Sequence, residues 1–459
     1  MDGCEKQSNS QAALLESEPR PSGPDNGRVS VRAGSPYAKR LYDMSDHSAL
    51  ELLLPEVQQL ILLRLDFVTL HALIHASPRM YQVFKLNKRI ILSTVTRQQF
   101  DPATTRAAQA IERLYSIEHP PFSRGTLLRM FSTLDELDDS SDPVLPLPVS
   151  TTLGRLDGTI RFFTDDYTRN TFPILVQLGQ SGFVTIETEY EQNPHGPKSD
   201  ISRSESNRLR RAFSQFETYR QFFSRCSSDF NHGPRQCFGG PSLTVYEQAK
   251  MFCQDMPAYQ AAEIACVRDY LYRRLRGAHD QVEDEVVQKL QAGCPDPRDK
   301  YQGLDWDWAN GGRHQYLADD EHIFGYSGKY LQNFHIEYLL SLGLPYIRRI
   351  LESTGDKRQD LLLHTESRCY THHQTNFITA ALGLDPLDSN DDQYGWYDRD
   401  IDSCLDENGK LDLPPGWLWA HTGGYYRGLV DVTAKGLRDW GYVFWDLERL
   451  QETGVLDLE

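Results

Sequence analysis

Cysteine is scarce in this sequence and never closely paired. Eight occur in 459 residues, at positions 4, 226, 237, 253, 266, 294, 369 and 404, with no C-x-x-C spacing. That excludes a disulfide scaffold and the common structural zinc modules, whose ligands come in tight pairs. None of the twelve Asn lies in an N-x-[ST] sequon. No apolar run approaches the ~20 residues needed to cross a bilayer. The first twenty residues show no basic stretch followed by an apolar core, so no secretory signal is expected. These absences predict reduced thiols, no membrane association, and a cytoplasmic or nuclear location.

Positive charge is also in deficit. Lys and Arg number 48 against 65 Asp and Glu, a net charge of −17. A phosphate-backbone binder needs a positive field, so no nucleic-acid partner is expected. The phosphate-cradling G-x-x-x-x-G-K-[ST] and the dinucleotide G-x-G-x-x-G are missing, as is any repeat of fixed period.

What is present reads as globular, with 39% apolar and 25% charged residues. Residues 1–45 are expected to form a disordered tail; fourteen of the first forty are Gly, Pro or Ser. From residue 46 to 97 the character changes to the most apolar stretch of the chain. Leu54, Val57, Ile61 and Leu65 recur at helical spacing and share one face. Pro55 suits a first helical turn, where its missing N–H costs nothing. Asp66 or Thr69 is placed to cap a second helix carrying Leu70, Leu73 and Ile74. Ser77-Pro78 restarts a third helix through Tyr81, Phe84 and Ile91. Three short helices in so few residues have too little core to be stable alone. Leu53, Leu54, Leu60, Ile61, Leu62, Leu63 and Leu65 cannot all point inward from one narrow face. Either the rest of the chain or a partner must cover them.

Residues 50–92 resemble an F-box of the kind common in filamentous fungi. The residues that carry the resemblance are Leu54-Pro55-Glu56-Val57, Ile61, Leu65, Leu70, Leu73 and Ala76-Ser77-Pro78. Val57 stands where the family more often has Leu, and the third helix lacks the Cys-basic-x-Trp of many members. The resemblance implies docking onto a Skp-type adaptor, which joins a cullin scaffold in a ubiquitin ligase. Leu54, Pro55, Val57, Ile61, Leu65 and Leu70 are then the partner-binding residues. The same stretch (50–100) carries six basic and three acidic residues, a local +3 that would steer toward an acidic adaptor. The alternative is an ordinary solvated face.

Residues 98–150 read as a helical connector followed by an acidic, Pro-containing linker, and 151–459 as a large helical domain that presents an unknown protein client. The expected fold class is mainly α. Within 158–175, Ile160, Phe163, Tyr167 and Thr171 are in helical phase, with strand as the competing reading because β-branched residues are frequent. Ser202 and Glu205 form a capping box. Leu209, Phe213, Phe216 and Phe223 then mark one helix, Ile264 to Leu275 a second, and Val282 to Leu290 a third, stopped by Gly293. Tyr330–Leu342 and Pro345–Leu351 form a pair broken at Gly343, and Leu437–Leu450 is a final element.

Catalytic signals are weak. Gly325-Tyr326-Ser327-Gly328 lacks the last Gly of a nucleophile elbow. Cys369, His372 and His373, with His364 nearby, have zinc-ligand chemistry, but a second ligand pair is missing. Residues 385–407 hold nine acidic residues, yet Gln393 stands where a calcium loop needs Gly. No metal or cofactor is expected, and no catalytic residues. All seven Trp follow residue 300, as core or as a binding surface. An enzyme reading would need a concave pocket lined by His335, His372 or the Trp residues.

Overall fold

The computed structural model describes residues 48–100, 105, 125–129, 146–181, 201–223, 243, 245–253, 256–294, 329–369, 378, 382, 413–422 and 432–457. The tail, most of the connector, Ser327, His372, His373, the 385–407 stretch, and Trp306, Trp308 and Trp396 lie outside the described residues. Among those described, the regular structure is helical and no strand occurs. The mainly α expectation holds.

The chain divides into two compact units, residues 1–54 and 55–459. In the first, the described end is a turn in which the Glu51 N–H donates to the Ser48 carbonyl (2.9 Å). The second unit begins with three helices, α1 Pro55–Leu62, α2 Phe67–Ala76 and α3 Pro78–Gln99. Their local signals act as expected. Pro55 opens α1. Asp66 Oδ1 accepts the Thr69 N–H (2.7 Å) and starts α2. Ser77 Oγ accepts the Met80 N–H (3.2 Å) and starts α3.

The helices that follow are α4 Leu147–Ser181, α5 Arg203–Phe223, α6 Val245–Cys253, α7 Ala258–Gln291, α8 Lys329–Ser341, α9 Leu344–Glu352, α10 Gly355–Cys369, α11 Pro415–Thr422, α12 Val432–Trp440 and α13 Leu447–Thr453. Helix α7 is central and packs on α5, α8, α9, α10 and α12.

Residues 158–175 are helix, part of the 35-residue α4. The Thr hydroxyls of this stretch bond back one turn, so none of them is left without an acceptor. Thr164 Oγ1 donates to the Ile160 carbonyl (2.9 Å), Thr168 to Thr164 (2.7 Å) and Thr171 to Tyr167 (2.7 Å). The two helices expected over 264–290 are one continuous α7, so no break separates Leu275 from Val282. The element expected over 437–450 is instead broken. Gly441 is left-handed (φ 71°), Tyr442–Phe444 make a single 3-10 turn, and α13 restarts after Asp446. The break at Gly343 and the stop at Gly293 are where the sequence puts them.

One main core runs from α4 to the C-terminal turn. It contains Phe163, Tyr167, Phe213, Phe216, Tyr270 and Trp445 among others, and leaves out the buried residues of α1–α3. The buried apolar residues of the trio are Leu62, Phe67, Leu70, Ile74, Met80, Val83, Phe84, Ile91, Leu92 and Val95, where α1 and α2 pack on α3. The helix trio nevertheless belongs to the same unit as the C-terminal helices, because α2 and α3 pack on α4.

Candidate functional site

Helix α2 fixes the trio to the rest of the unit. Its core-facing residues are Phe67, Leu70 and Ile74, a three-and-four spacing that makes one stripe. Phe67 lies directly over Gly154 of α4. Its N–H donates to Gln99 Oε1 (3.1 Å), and its ring stacks on Phe100 at 5.7 Å. The Arg210 guanidinium ties this corner to α5. It pairs with buried Asp157 and donates to the Gln99 carbonyl (3.4 Å).

With α2 committed inward, other side chains are left facing out. Among the described residues, eight of the ten exposed large apolar side chains lie between positions 52 and 90, six of them in the second unit. On α1, Gln58 and Leu62 are buried, while Val57 and Leu60 are exposed, Leu60 by 61%. A step of about 100° per residue separates these two pairs onto different flanks. On α3, Leu86 is 84% exposed and Ile90 53%. Exposed apolar residues concentrated in this way mark interaction surfaces more often than chance exposure does.

The six residues expected to bind a partner divide accordingly. Leu54 is 68% exposed at the end of the first unit. In the second unit, Pro55 and Val57 are exposed, and Ile61 and Leu65 are half-buried at the rim. Leu70 departs from the set: it is wholly buried in the α2 stripe, so it packs the protein and offers nothing to a partner. Leu86 and Ile90 were not among the residues expected to bind a partner. Counting from Phe84 in 100° steps would have put Leu86 on the opposite side of α3.

The face is basic. Arg64, Lys85, Lys88, Arg89 and Arg97 are exposed. Desolvation, then His75 and Arg155, holds the His71 imidazole below its ordinary range. The positive charge therefore comes from Lys and Arg, and persists at neutral pH.

No family model, curated protein or solved structure matches the chain.

Elsewhere, buried ionisable groups act as clamps between helices. Asp269 sits between Arg268 and Arg438 (2.9 and 2.6 Å). Burial alone would raise its pKa, but the two cations outweigh burial and hold it low. Burial pushes the Glu263 carboxyl up, against the pull of Arg211 (2.6 Å) and Arg208. His335 is wholly buried on α8, with Nδ1 3.3 Å from Nε2 of His279 on α7, and burial drops its pKa to about 3. It is a buried residue at the contact of α7 and α8. Trp417, Trp440 and Trp445 belong to the main core, and Trp419 packs against it. Among the described residues no group of three or more His, Cys, Asp or Glu is arranged to hold a metal ion. No described helix is long and apolar enough to cross a membrane.

Proposed function

We propose that this chain is a substrate-recognition subunit of an SCF-type ubiquitin ligase. Its N-terminal helices dock onto a Skp-type adaptor, and through it a cullin, while the C-terminal helical region holds a protein client. The observation that carries the reading is the outward apolar flank of α1, Val57 and Leu60, directly after the Leu54-Pro55 start of the F-box-like spacing. Residues on such a flank have no role in the protein's own core and lower its solubility, so a partner is the economical explanation. In this reading the catalytic steps belong to other subunits, and this chain contributes positioning. It would act in the cytoplasm or nucleus.

The test is a pull-down with purified Skp-type adaptor, comparing wild type with Val57→Asp/Leu60→Asp. Both positions are exposed, so the variant should fold normally. Recovery of the adaptor should fall at least tenfold; equal recovery would sink the docking claim.

A second reading is favoured by the Phe67–Gly154 contact. The trio would be a fixed part of a non-catalytic scaffold, packed on its own C-terminal helices. Such a protein would ignore the adaptor and bind its partners elsewhere.

A further inference from the structure

Helix α2 commits the stripe Phe67, Leu70 and Ile74 to the interior, and two histidines stand on the flank beside it. His71 and His75 are four residues apart, so their side chains lie one above the other on successive turns. Their ring centroids are 4.3 Å apart, with the planes tilted by 53°. His71 is half-buried and His75 is exposed. Among the described residues, no hydrogen bond or ion pair engages either imidazole. A ring contact alone asks only for two flat apolar surfaces. Two imidazoles at this spacing also offer two ring nitrogens to one point in space. His75 lies in the last turn of α2, where the unsatisfied carbonyls form the negative end of the helix dipole and favour a cation.

We propose that His71 and His75 together chelate a late first-row divalent ion, of the class of Zn²⁺, Ni²⁺ and Cu²⁺, with water in the remaining coordination positions. Imidazole nitrogen suits these ions, whereas Mg²⁺ and Ca²⁺ take oxygen ligands. No third His, Cys, Asp or Glu joins the pair among the described residues. The site is therefore weaker than a structural zinc centre with its four protein ligands, and its ion is exchangeable. The backbone beneath it is held in place, because the buried stripe packs α2 against α3 and α4. Arg155 of α4 opposes binding: it is near enough to His71 to act on it electrostatically, and it would repel a metal charge. It is exposed, so solvent screens much of that repulsion. An ion shared by two successive turns holds the last turn of α2 helical, and so tightens the helix that fixes the trio to α4. The proposal does not depend on the adaptor reading.

The experiment titrates the full chain at neutral pH with Zn²⁺, read by calorimetry, and with Cu²⁺, read by electron paramagnetic resonance. The Cu²⁺ spectrum of wild type should show coupling to imidazole nitrogens that is lost in His71→Ala/His75→Ala. Each single variant should weaken Zn²⁺ binding by about tenfold or more, because only the helix holds the second ligand at a high effective concentration. His75 is exposed, so His75→Ala leaves the fold intact; circular dichroism and melting without metal check this for all variants. Arg155→Ala should tighten binding by about twofold to threefold, since it removes a screened repulsion. Amide exchange over residues 71–76 should slow in wild type, by up to about a hundredfold when Zn²⁺ is at a hundred times its Kd, and should not respond in His75→Ala. Wild-type affinity and stoichiometry in the double variant would overturn the proposal. So would loss of binding in only one of the single variants, which marks a lone imidazole sharing its ion with ligands elsewhere, and so would α2 exchange in wild type that ignores Zn²⁺.

Discussion

Phe67 of α2 packs over Gly154 of α4 so closely that a Cβ at position 154 would lie 2.8 Å from the Phe67 Cβ. The contact joins the small apolar cluster of the helix trio to the long helix that borders the main core. A larger residue at 154 must push α2 away or force side chains off their rotamers. Gly154→Val should therefore cost about 1–3 kcal/mol of stability, although leaving Gly in a helix normally helps. Thermal unfolding measures the loss. Amide exchange over 67–76 should rise selectively if α2 is the element that moves.

Leu70 and Leu60 separate packing from display. Leu70 is wholly buried, so Leu70→Ala should destabilise by about 2–5 kcal/mol. Leu60 is mostly exposed, and Leu60→Ala should change stability by no more than about 0.5 kcal/mol. Urea denaturation checks both. On the proposed function, Leu60→Ala alone also weakens adaptor binding at unchanged stability.

Glu205 holds two termini together. It accepts the Ser202 N–H (2.9 Å) and the Asp446 N–H (3.0 Å), and pairs with Arg449 (2.7 and 2.9 Å). Its side chain is buried, so Glu205→Ala leaves donors from both α5 and the C-terminal segment without their acceptor. The expected cost is about 3–5 kcal/mol, because removing one partner of a buried pair strands the other. Glu205→Gln, which retains one acceptor oxygen, should lose less. Proteolysis near residues 446–453 should appear first in the Ala variant.

Stability should fall on acidification through His335. Its folded pKa is lowered by burial to about 3, against an ordinary value near 6.5. Between those values the unfolded chain binds the proton and the folded one does not, so stability rises with pH across that window and declines as pH drops from about 6.5 toward 3. One such group contributes a slope of up to about 1.4 kcal/mol per pH unit. Urea midpoints from pH 7 to 4 should fall less steeply in His335→Phe than in wild type. Parallel pH dependences would contradict the assignment.

Short-range features were legible because they depend on neighbours in the chain. Asp66, Ser77 and the Ser202–Glu205 box act within three residues, and each does what its residue type dictates. The break at Gly343 was legible for the same reason. The continuity of α7 was not: residues 276–281 carry no apolar stripe, and the helix persists there because its neighbours support it. The helical state of 158–175 was open to strand until packing buried the in-phase stripe Ile160, Phe163, Tyr167 and Thr171.

The candidate site was half legible. Apolar periodicity identified a helix trio with more apolar side chains than its own core can hold. It could not say which flank of α1 faces outward, since Val57 and Leu62 are equally apolar. That was decided by the packing of α1 on α3, which takes Gln58 and Leu62 inward. By itself the sequence determined the helical class, the caps and the basic surplus of the N-terminal helices. Only the tertiary structure sent Leu70 into the core and left Leu60, Leu86 and Ile90 in solvent, because a helix has one stripe to bury and its packing partner chooses which.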